Sequence, residues 1–105
     1  MKSCPPQRLK TKAEFRRAAD VFKALSNPSR VMIVNALADR EHCVAELTAL
    51  VKLDISTVSN HLAVLRSVSI VSDERRGTQV FYTLRKPCLM NLFCCLDDFH
   101  AVVSK

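Results

Sequence analysis

Glycine occurs once in the 105 residues, at Gly77. Phosphate-binding loops of the GxGxxG and P-loop types need several glycines, and all-β folds need glycine at many tight turns. The composition therefore argues against a nucleotide-binding loop and against an all-β fold. Gly77 follows Arg75 and Arg76 and lies between two β-prone segments, residues 70–71 and 80–84. This arrangement predicts a β-hairpin with a basic tip.

The first third of the chain has the apolar spacing and the start signals of two helices. Thr11 and Glu14 have the spacing of a capping box, and they precede a helix predicted over residues 11–25. Asn27 is a favourable N-cap and Pro28 suits the first helical position, so a second, mostly buried helix begins there.

A helix-turn-helix and a final helix complete the pattern. A short helix over residues 44–51 is followed by a break and by an amphipathic helix over residues 55–67, with Asp54 as its N-cap. After the hairpin, Pro87 opens a last helix that runs to about Val103. The order α-α-α-α-β-β-α predicts a mainly α winged helix-turn-helix, and the wide apolar stripe of the last helix needs a partner surface.

Charge and hydropathy narrow the class of partner. Lysine and arginine number 16 against 10 acidic residues, a net charge of +6 that favours nucleic acid over a membrane surface. The sequence has neither an apolar run of about 18 residues nor an apolar leader, so we expect a cytoplasmic protein with five reduced cysteines. We expect a flexible arm at residues 1–10 and one domain at residues 11–105.

The helix over residues 55–67 has short polar side chains on the face opposite its apolar stripe. Such a face can lie in the major groove and hydrogen-bond base edges, and a basic hairpin tip can contact phosphates or a minor groove. For His61, which precedes a core leucine, a packing role is favoured over a base contact. The candidate DNA-binding residues are Ser56, Thr57, Ser59, Asn60, His61, Arg75 and Arg76.

Three separated motifs resemble the ArsR/SmtB family of arsenic- and metal-responsive repressors. They are KALSNPSRVMI at residues 23–33, STVSNHLAVL at residues 56–65, and the segment from Arg76 to Leu84. The resemblance implies a homodimeric winged-helix repressor, paired through its terminal helices, that leaves operator DNA when an inducer binds. Ser69 stands where the family usually has glycine, so a strained turn is expected there.

Three cysteines of the last helix, Cys88, Cys94 and Cys95, are the first candidates for the inducer site. Cys88 and Cys95 share a helix face but are separated by about 10 Å along the axis. Cys94 and Cys95 are adjacent, so their side chains diverge by about 100° around the helix. Either Cys88 lies in an irregular first turn, or thiols come from elsewhere, such as the partner subunit. Soft thiolates suit thiophilic ions, and the cluster resembles that of arsenite-sensing members. We therefore predict As(III) or another thiophilic ion as inducer, with no organic cofactor.

Cys43 and Cys4 are the alternative ligands. Cys43 occupies an N-cap position within EHCVAEL at residues 41–47, which resembles the family's ELCVCDL metal box with Ala45 in place of the second cysteine. A site that joins Cys4 to Cys43 would suit cadmium or lead.

Three further functions fit less well. A thiol redox or persulfide sensor on the same fold remains open. Some family members pair a cysteine on the second helix with one on the last helix, and Asn35 stands at the second-helix position here. Asp97, Asp98 and His100 lack the second histidine pair that a zinc or nickel site of the family would need. The sequence has no CxxC, HExxH or Ser/His/Asp pattern, so we expect no enzyme activity.

Overall fold

The computed structural model describes the backbone of residues 10–103 and the side chains of residues 10–97. Cys4 and the predicted arm up to residue 9 lie outside the described residues, as do the side chains of Asp98 and His100. Five helices and three strands make up the described part of the chain. In order they are α1 (Lys12–Ala24), α2 (Pro28–Asp39), β1 (His42–Cys43), α3 (Val44–Val51), α4 (Ile55–Ser67), β2 (Val71–Arg76), β3 (Gln79–Leu84) and α5 (Leu89–Val103).

The capping signals of the first two helices act as predicted. The Thr11 hydroxyl oxygen accepts from the Glu14 N–H at 3.1 Å, and the Glu14 carboxylate accepts from the Thr11 N–H at 3.2 Å. The Asn27 side-chain oxygen accepts from the N–H groups of Ser29 and Arg30 at 2.9 and 3.2 Å. Each cap satisfies backbone donors that the helix leaves unpaired, and so determines where the helix begins.

A short strand that the sequence analysis did not predict joins the hairpin. β1 pairs antiparallel with β3, with His42 opposite Tyr82 and Cys43 opposite Phe81, so the sheet has the order β1-β3-β2. Two residues are too few to show the alternation that reveals a strand. The predicted hairpin itself is confirmed, and Gly77 takes a φ of +65° in its turn.

The core lies where α2, α3 and α4 meet the base of the wing. Its fully enclosed residues are Ile33, Val34, Leu47, Val58, Leu62, Leu65, Ile70 and Val71. Three of these, Val58, Leu62 and Leu65, come from α4 and are 0% exposed. Their burial fixes the rotation of α4 about its axis and leaves its polar side chains in solvent.

The last helix begins later than predicted. Pro87 and Cys88 form a turn, and α5 begins at Leu89. The N–H groups of Met90 and Asn91 donate to the carbonyls of Pro87 and Cys88 at 3.0 and 3.1 Å, which is the i to i+3 pattern of a tight turn. Cys88 therefore lies in an irregular segment ahead of the helix. Within the described part of the chain, no helix combines the length and the hydropathy needed to cross a bilayer.

Ser69, two residues after the end of α4, adopts the left-handed conformation expected from its position. Its φ is +63°, its N–H donates to the Arg66 carbonyl at 3.0 Å, and the Ile70 N–H donates to the Leu65 carbonyl at 3.0 Å. These two bonds form a Schellman motif, in which glycine is the usual residue because it has no Cβ to clash.

Replacing Ser69 by glycine should stabilise the protein. We expect Ser69→Gly to raise the free energy of unfolding by about 1 kcal/mol, since a side chain in this backbone region costs about 1–2 kcal/mol. Urea unfolding followed by circular dichroism measures the change. Ser67→Gly, at the last residue of α4, is the control and should destabilise by about 0.5–1 kcal/mol, since glycine is unfavourable in a helix and the Ser67 hydroxyl donates to the Val64 carbonyl at 2.7 Å. Destabilisation by Ser69→Gly would contradict the argument.

Candidate nucleic-acid interface and cysteine cluster

The exposed face of α4 is short and polar. Ser56, Ser59 and Asn60 are exposed, while Val58, Leu62 and Leu65 of the same helix are enclosed in the core. None of these three side chains makes a hydrogen bond within the described residues, so their donors and acceptors are available to another molecule. Hydroxyl and amide groups on such a face match the base edges of a major groove.

Thr57 differs from its neighbours because it belongs to the helix cap. Its hydroxyl donates to the Asp54 carboxylate at 2.6 Å, and its backbone N–H donates to the same carboxylate at 3.2 Å. The hydroxyl and then the N–H lower the pKa of Asp54, which stays ionised at the positive end of the helix dipole. The structure thus places Thr57, a predicted DNA contact, in a bracing role at the start of α4.

The His61 side chain is partly buried and contacts Arg30 of α2. The Arg30 guanidinium donates to His61 Nδ1 at 3.2 Å and to the Ala24 carbonyl at 2.6 Å. Because arginine can only donate, this bond requires Nδ1 to be unprotonated. Burial, and then the positive charge of Arg30, lower the pKa of His61. The contact supports the packing role favoured from the sequence.

The His61 environment predicts a pH dependence of stability. Its native pKa lies below the ordinary value of about 6.5, so the unfolded chain binds more protons in acid. The contribution of His61 is therefore fully present above about pH 6.5 and is lost as the pH falls toward the native pKa. We expect the melting temperature of the wild type to fall more between pH 7 and pH 5 than that of His61→Gln. Equal pH profiles would contradict this. Carboxylates with lowered pKa values, such as Glu46, change protonation below about pH 4.5. They therefore do not contribute to the difference between pH 7 and pH 5.

The two wing arginines have different environments, which the sequence analysis did not distinguish. Arg76 bonds the Glu41 carboxylate through both terminal nitrogens, bonds Glu74 at 2.7 and 2.9 Å, and lies 4.8 Å from the centroid of the Phe81 ring. These carboxylates, Glu41 first, raise the pKa of Arg76 further. Arg75 is exposed and makes neither a hydrogen bond nor an ion pair within the described residues.

A second ion pair connects the wing to α4. Arg66, in the last turn of α4, donates to the Asp73 carboxylate of β2 at 2.8 Å. The pair is partly exposed, so its contribution to stability is small. The pair nevertheless links α4, which has the polar face, to β2, which carries Arg75.

Cys43 is enclosed by the sheet and the start of α3. It is 6% exposed, and its backbone N–H donates to the Glu46 carboxylate at 3.0 Å. That N–H is the largest cause of the lowered pKa of Glu46. The predicted N-cap position of Cys43 is confirmed, whereas its predicted alternative role as a ligand stays a prediction, with Cys4 outside the described residues.

The three cysteines of the C-terminal region are free thiols on the surface. Cys88 lies in the turn before α5, and Cys94 and Cys95 are exposed on the helix. Among residues whose side chains the structure describes, no three cysteine, histidine or acidic side chains lie close enough to hold one ion. One described chain therefore does not assemble the three-thiolate site, as the helix geometry indicated.

An apolar groove about 240 Å³ in volume separates α5 from α1 and α2. It is lined by Phe22, Leu25, Val31, Leu92, Phe93 and Leu96. Phe22 and Leu96 are 62% and 56% exposed, and Phe15 on α1 is 56% exposed. A concentration of large apolar side chains in solvent indicates an interaction surface.

Comparison with known proteins agrees with this architecture. Residues 27–73 match the sequence profile of a family described as bacterial regulatory protein, arsR family. The transcriptional repressor SmtB homolog of Synechocystis is 41% identical over 80 residues, which are 76% of this chain and 61% of that protein. The chain thus spans less than two thirds of that repressor. A helix-turn-helix regulator of Methanocaldococcus jannaschii, MJ1325, is 36% identical over 86 residues, which are 81% of this chain and 97% of that protein.

A solved structure extends the likeness to three dimensions. The homodimeric winged helix-turn-helix DNA-binding domain of Mb0332 from Mycobacterium bovis is 27% identical, with a TM-score of 0.78. The match covers 90% of this chain and 94% of that domain. The relatives named are helix-turn-helix regulators, which agrees with the prediction that the chain is not an enzyme.

Proposed function

Because the chain belongs to the arsR family of bacterial regulatory proteins, we propose that it is a transcriptional repressor released from operator DNA by a thiol-bound inducer. The observation that carries the proposal is the exposed polar face of α4 beside the wing. Val58, Leu62 and Leu65 hold the helix against the core, so the polar side chains are presented outward and are available to DNA. We propose arsenite or antimonite as the inducer and an arsenic-resistance operon as the target.

In the DNA complex, α4 lies in the major groove and the wing lies beside it. Ser56, Ser59 and Asn60 hydrogen-bond base edges, and Arg75 contacts the phosphate backbone. The net charge of +6 supports this arrangement because neutralising phosphates supplies a large part of DNA affinity. The assignment of His61, Thr57 and Arg76 as DNA contacts is weaker, since the structure gives each of them a partner within the chain.

The proposed oligomer is a homodimer that covers the groove between α1 and α5. The exposed Phe15, Phe22 and Leu96 supply the apolar surface that a second copy would bury. The Mb0332 domain, which is similar over 90% of this chain, is homodimeric. Two copies related by a twofold axis present two α4 helices to successive major grooves, about one helical turn of DNA apart.

The inducer site is proposed to form from Cys94 and Cys95 with Cys88 of the same or the partner subunit. Exposed thiols on a helix at the dimer surface can converge from two chains where one chain alone leaves them apart. Thiolates are soft ligands, and three of them match the trigonal coordination of arsenic(III). A ligand that binds one dimer arrangement more tightly than another shifts the population away from the arrangement that fits DNA.

Fluorescence anisotropy of the reduced protein on a labelled duplex from the region upstream of its own gene tests the proposal. Arsenite, cadmium, zinc and an oxidant are titrated separately at one fixed salt concentration, because affinity depends on salt. Release by low arsenite supports the site at Cys88, Cys94 and Cys95. Release by cadmium or an oxidant, with arsenite inactive, would instead favour Cys4 and Cys43 or a thiol redox sensor. A wild type that does not bind the duplex would refute the repressor function.

A further inference from the structure

The side chain of Arg76 extends across the whole sheet. It starts from β2, passes over the Phe81 ring of the middle strand at 4.8 Å, and reaches Glu41, the residue before β1. The guanidinium bonds Glu41 in a two-pronged arrangement and bonds Glu74 with Nε and one terminal nitrogen. We call Glu41, Glu74, Arg76 and Phe81 the wing clamp.

The wing clamp joins the wing to the start of the helix-turn-helix. Glu41 is followed directly by β1 (His42–Cys43), and α3 begins at Val44. The Arg66–Asp73 pair makes a second connection, from the end of α4 to β2. Two ionic contacts thus link the wing to the segments before and after the helix-turn-helix, in addition to the backbone pairing of β1 with β3.

The charge balance of the wing clamp is unfavourable for binding a phosphate. One arginine faces two carboxylates, so Arg76 with Glu41 and Glu74 carries a net charge of −1. Four N–H bonds of the guanidinium are directed at those carboxylates, and arginine has five. Its face lies against Phe81. Arg75 is the opposite case, since it is exposed and has no acidic partner within the described residues.

We propose that Glu41 and Arg76 are positioning residues that hold the wing at the angle required for DNA binding, and that Arg75 is the wing cation that contacts the phosphate backbone. The inference rests on the proposed DNA-binding function. It gives two adjacent arginines different roles, and it gives a role in DNA binding to an acidic residue, Glu41, that on charge alone would oppose it.

The first test uses the free protein. Amide hydrogen exchange is compared in the wild type, Glu41→Gln and Asp39→Asn. Asp39 is a matched control because it is exposed, lies two residues from Glu41 and makes no ion pair within the described residues. Glu41→Gln should increase exchange about two- to fivefold in β3 and the hairpin turn, as expected when an exposed ion pair is removed. Asp39→Asn should not. Unchanged exchange in Glu41→Gln would overturn the wing clamp.

The second test measures affinity for the labelled upstream duplex as a function of salt. Glu41→Gln should weaken binding about two- to fivefold although it removes a negative charge, whereas Asp39→Asn should leave binding unchanged or tighter. Tighter binding by Glu41→Gln would show that the carboxylate only repels DNA and would overturn the proposal.

Variants of the arginines separate positioning from contact. The slope of log affinity against log salt concentration reports how many phosphates the protein neutralises. Arg75→Gln should reduce this slope by about 0.9 for each phosphate that the variant no longer neutralises, or about two in a dimer. Arg76→Gln should weaken binding and leave the slope unchanged, and Arg76→Lys should not restore it, because lysine lacks the planar fork. A slope reduced equally by both glutamine variants would make Arg76 a contact. If the wild type binds no duplex, the proposed function and the role of Arg75 fail, while hydrogen exchange still decides the wing clamp.

Discussion

A Ser59→Glu variant is expected to fold like the wild type and to bind operator DNA about 100-fold less tightly, or more weakly still. Ser59 is exposed on α4 and lines a surface cavity of about 290 Å³ together with Thr78 of the wing turn. A carboxylate there would face the phosphates and base acceptors of the groove, and each like-charge contact across an interface costs several kcal/mol. Both subunits of a dimer would carry this cost.

The matched control is Asn35→Glu, which adds the same charge at an exposed position of α2 outside the proposed interface. Its loss of affinity should be limited to the small effect of one added charge per subunit on the overall field. Anisotropy titration measures both variants, and circular dichroism with sedimentation establishes that each folds and dimerises. If Ser59→Glu binds as tightly as Asn35→Glu, then the polar face of α4 is not the surface that reads DNA.

The fold could be predicted because its local signals agree with its packing. Asn27 and Asp54 begin the helices that they were expected to begin, and Gly77 occupies the hairpin turn. Each signal acts within a few residues, so the amino-acid pattern is sufficient to reveal it. β1 (His42–Cys43) was missed because it exists only through its pairing with β3, which lies about 40 residues later in the chain.

The candidate interface was predictable only as a set of polar and basic residues. Which of them are free depends on contacts between distant segments, such as Arg76 with Glu41 and His61 with Arg30. The alternation of strand side chains would have placed Glu74 and Arg76 on one face of β2 and indicated that pair. No comparable local signal links residue 41 to residue 76, because their approach depends on the order of the sheet.

The second large effect concerns the inducer. A Cys94→Ser/Cys95→Ser variant should keep its DNA affinity within about twofold, because serine is nearly isosteric with cysteine and both positions lie outside the enclosed core of the chain. The arsenite concentration needed for half-release should rise by at least about 100-fold, since a hydroxyl is a hard ligand and losing a direct ligand costs at least as much as disturbing its surroundings. Anisotropy titration of the protein–DNA complex measures both quantities.

Single variants locate the rest of the site. Cys43→Ser is the matched control, because serine suits an N-cap and this thiol is enclosed away from α5. It should respond to arsenite like the wild type. Cys88→Ser should lose the response if the turn before α5 supplies the third thiolate. Release of the double variant at wild-type arsenite concentrations would place the inducer elsewhere. Loss of response in Cys43→Ser alone would place it at the start of α3, where the sheet would have to open to admit an ion.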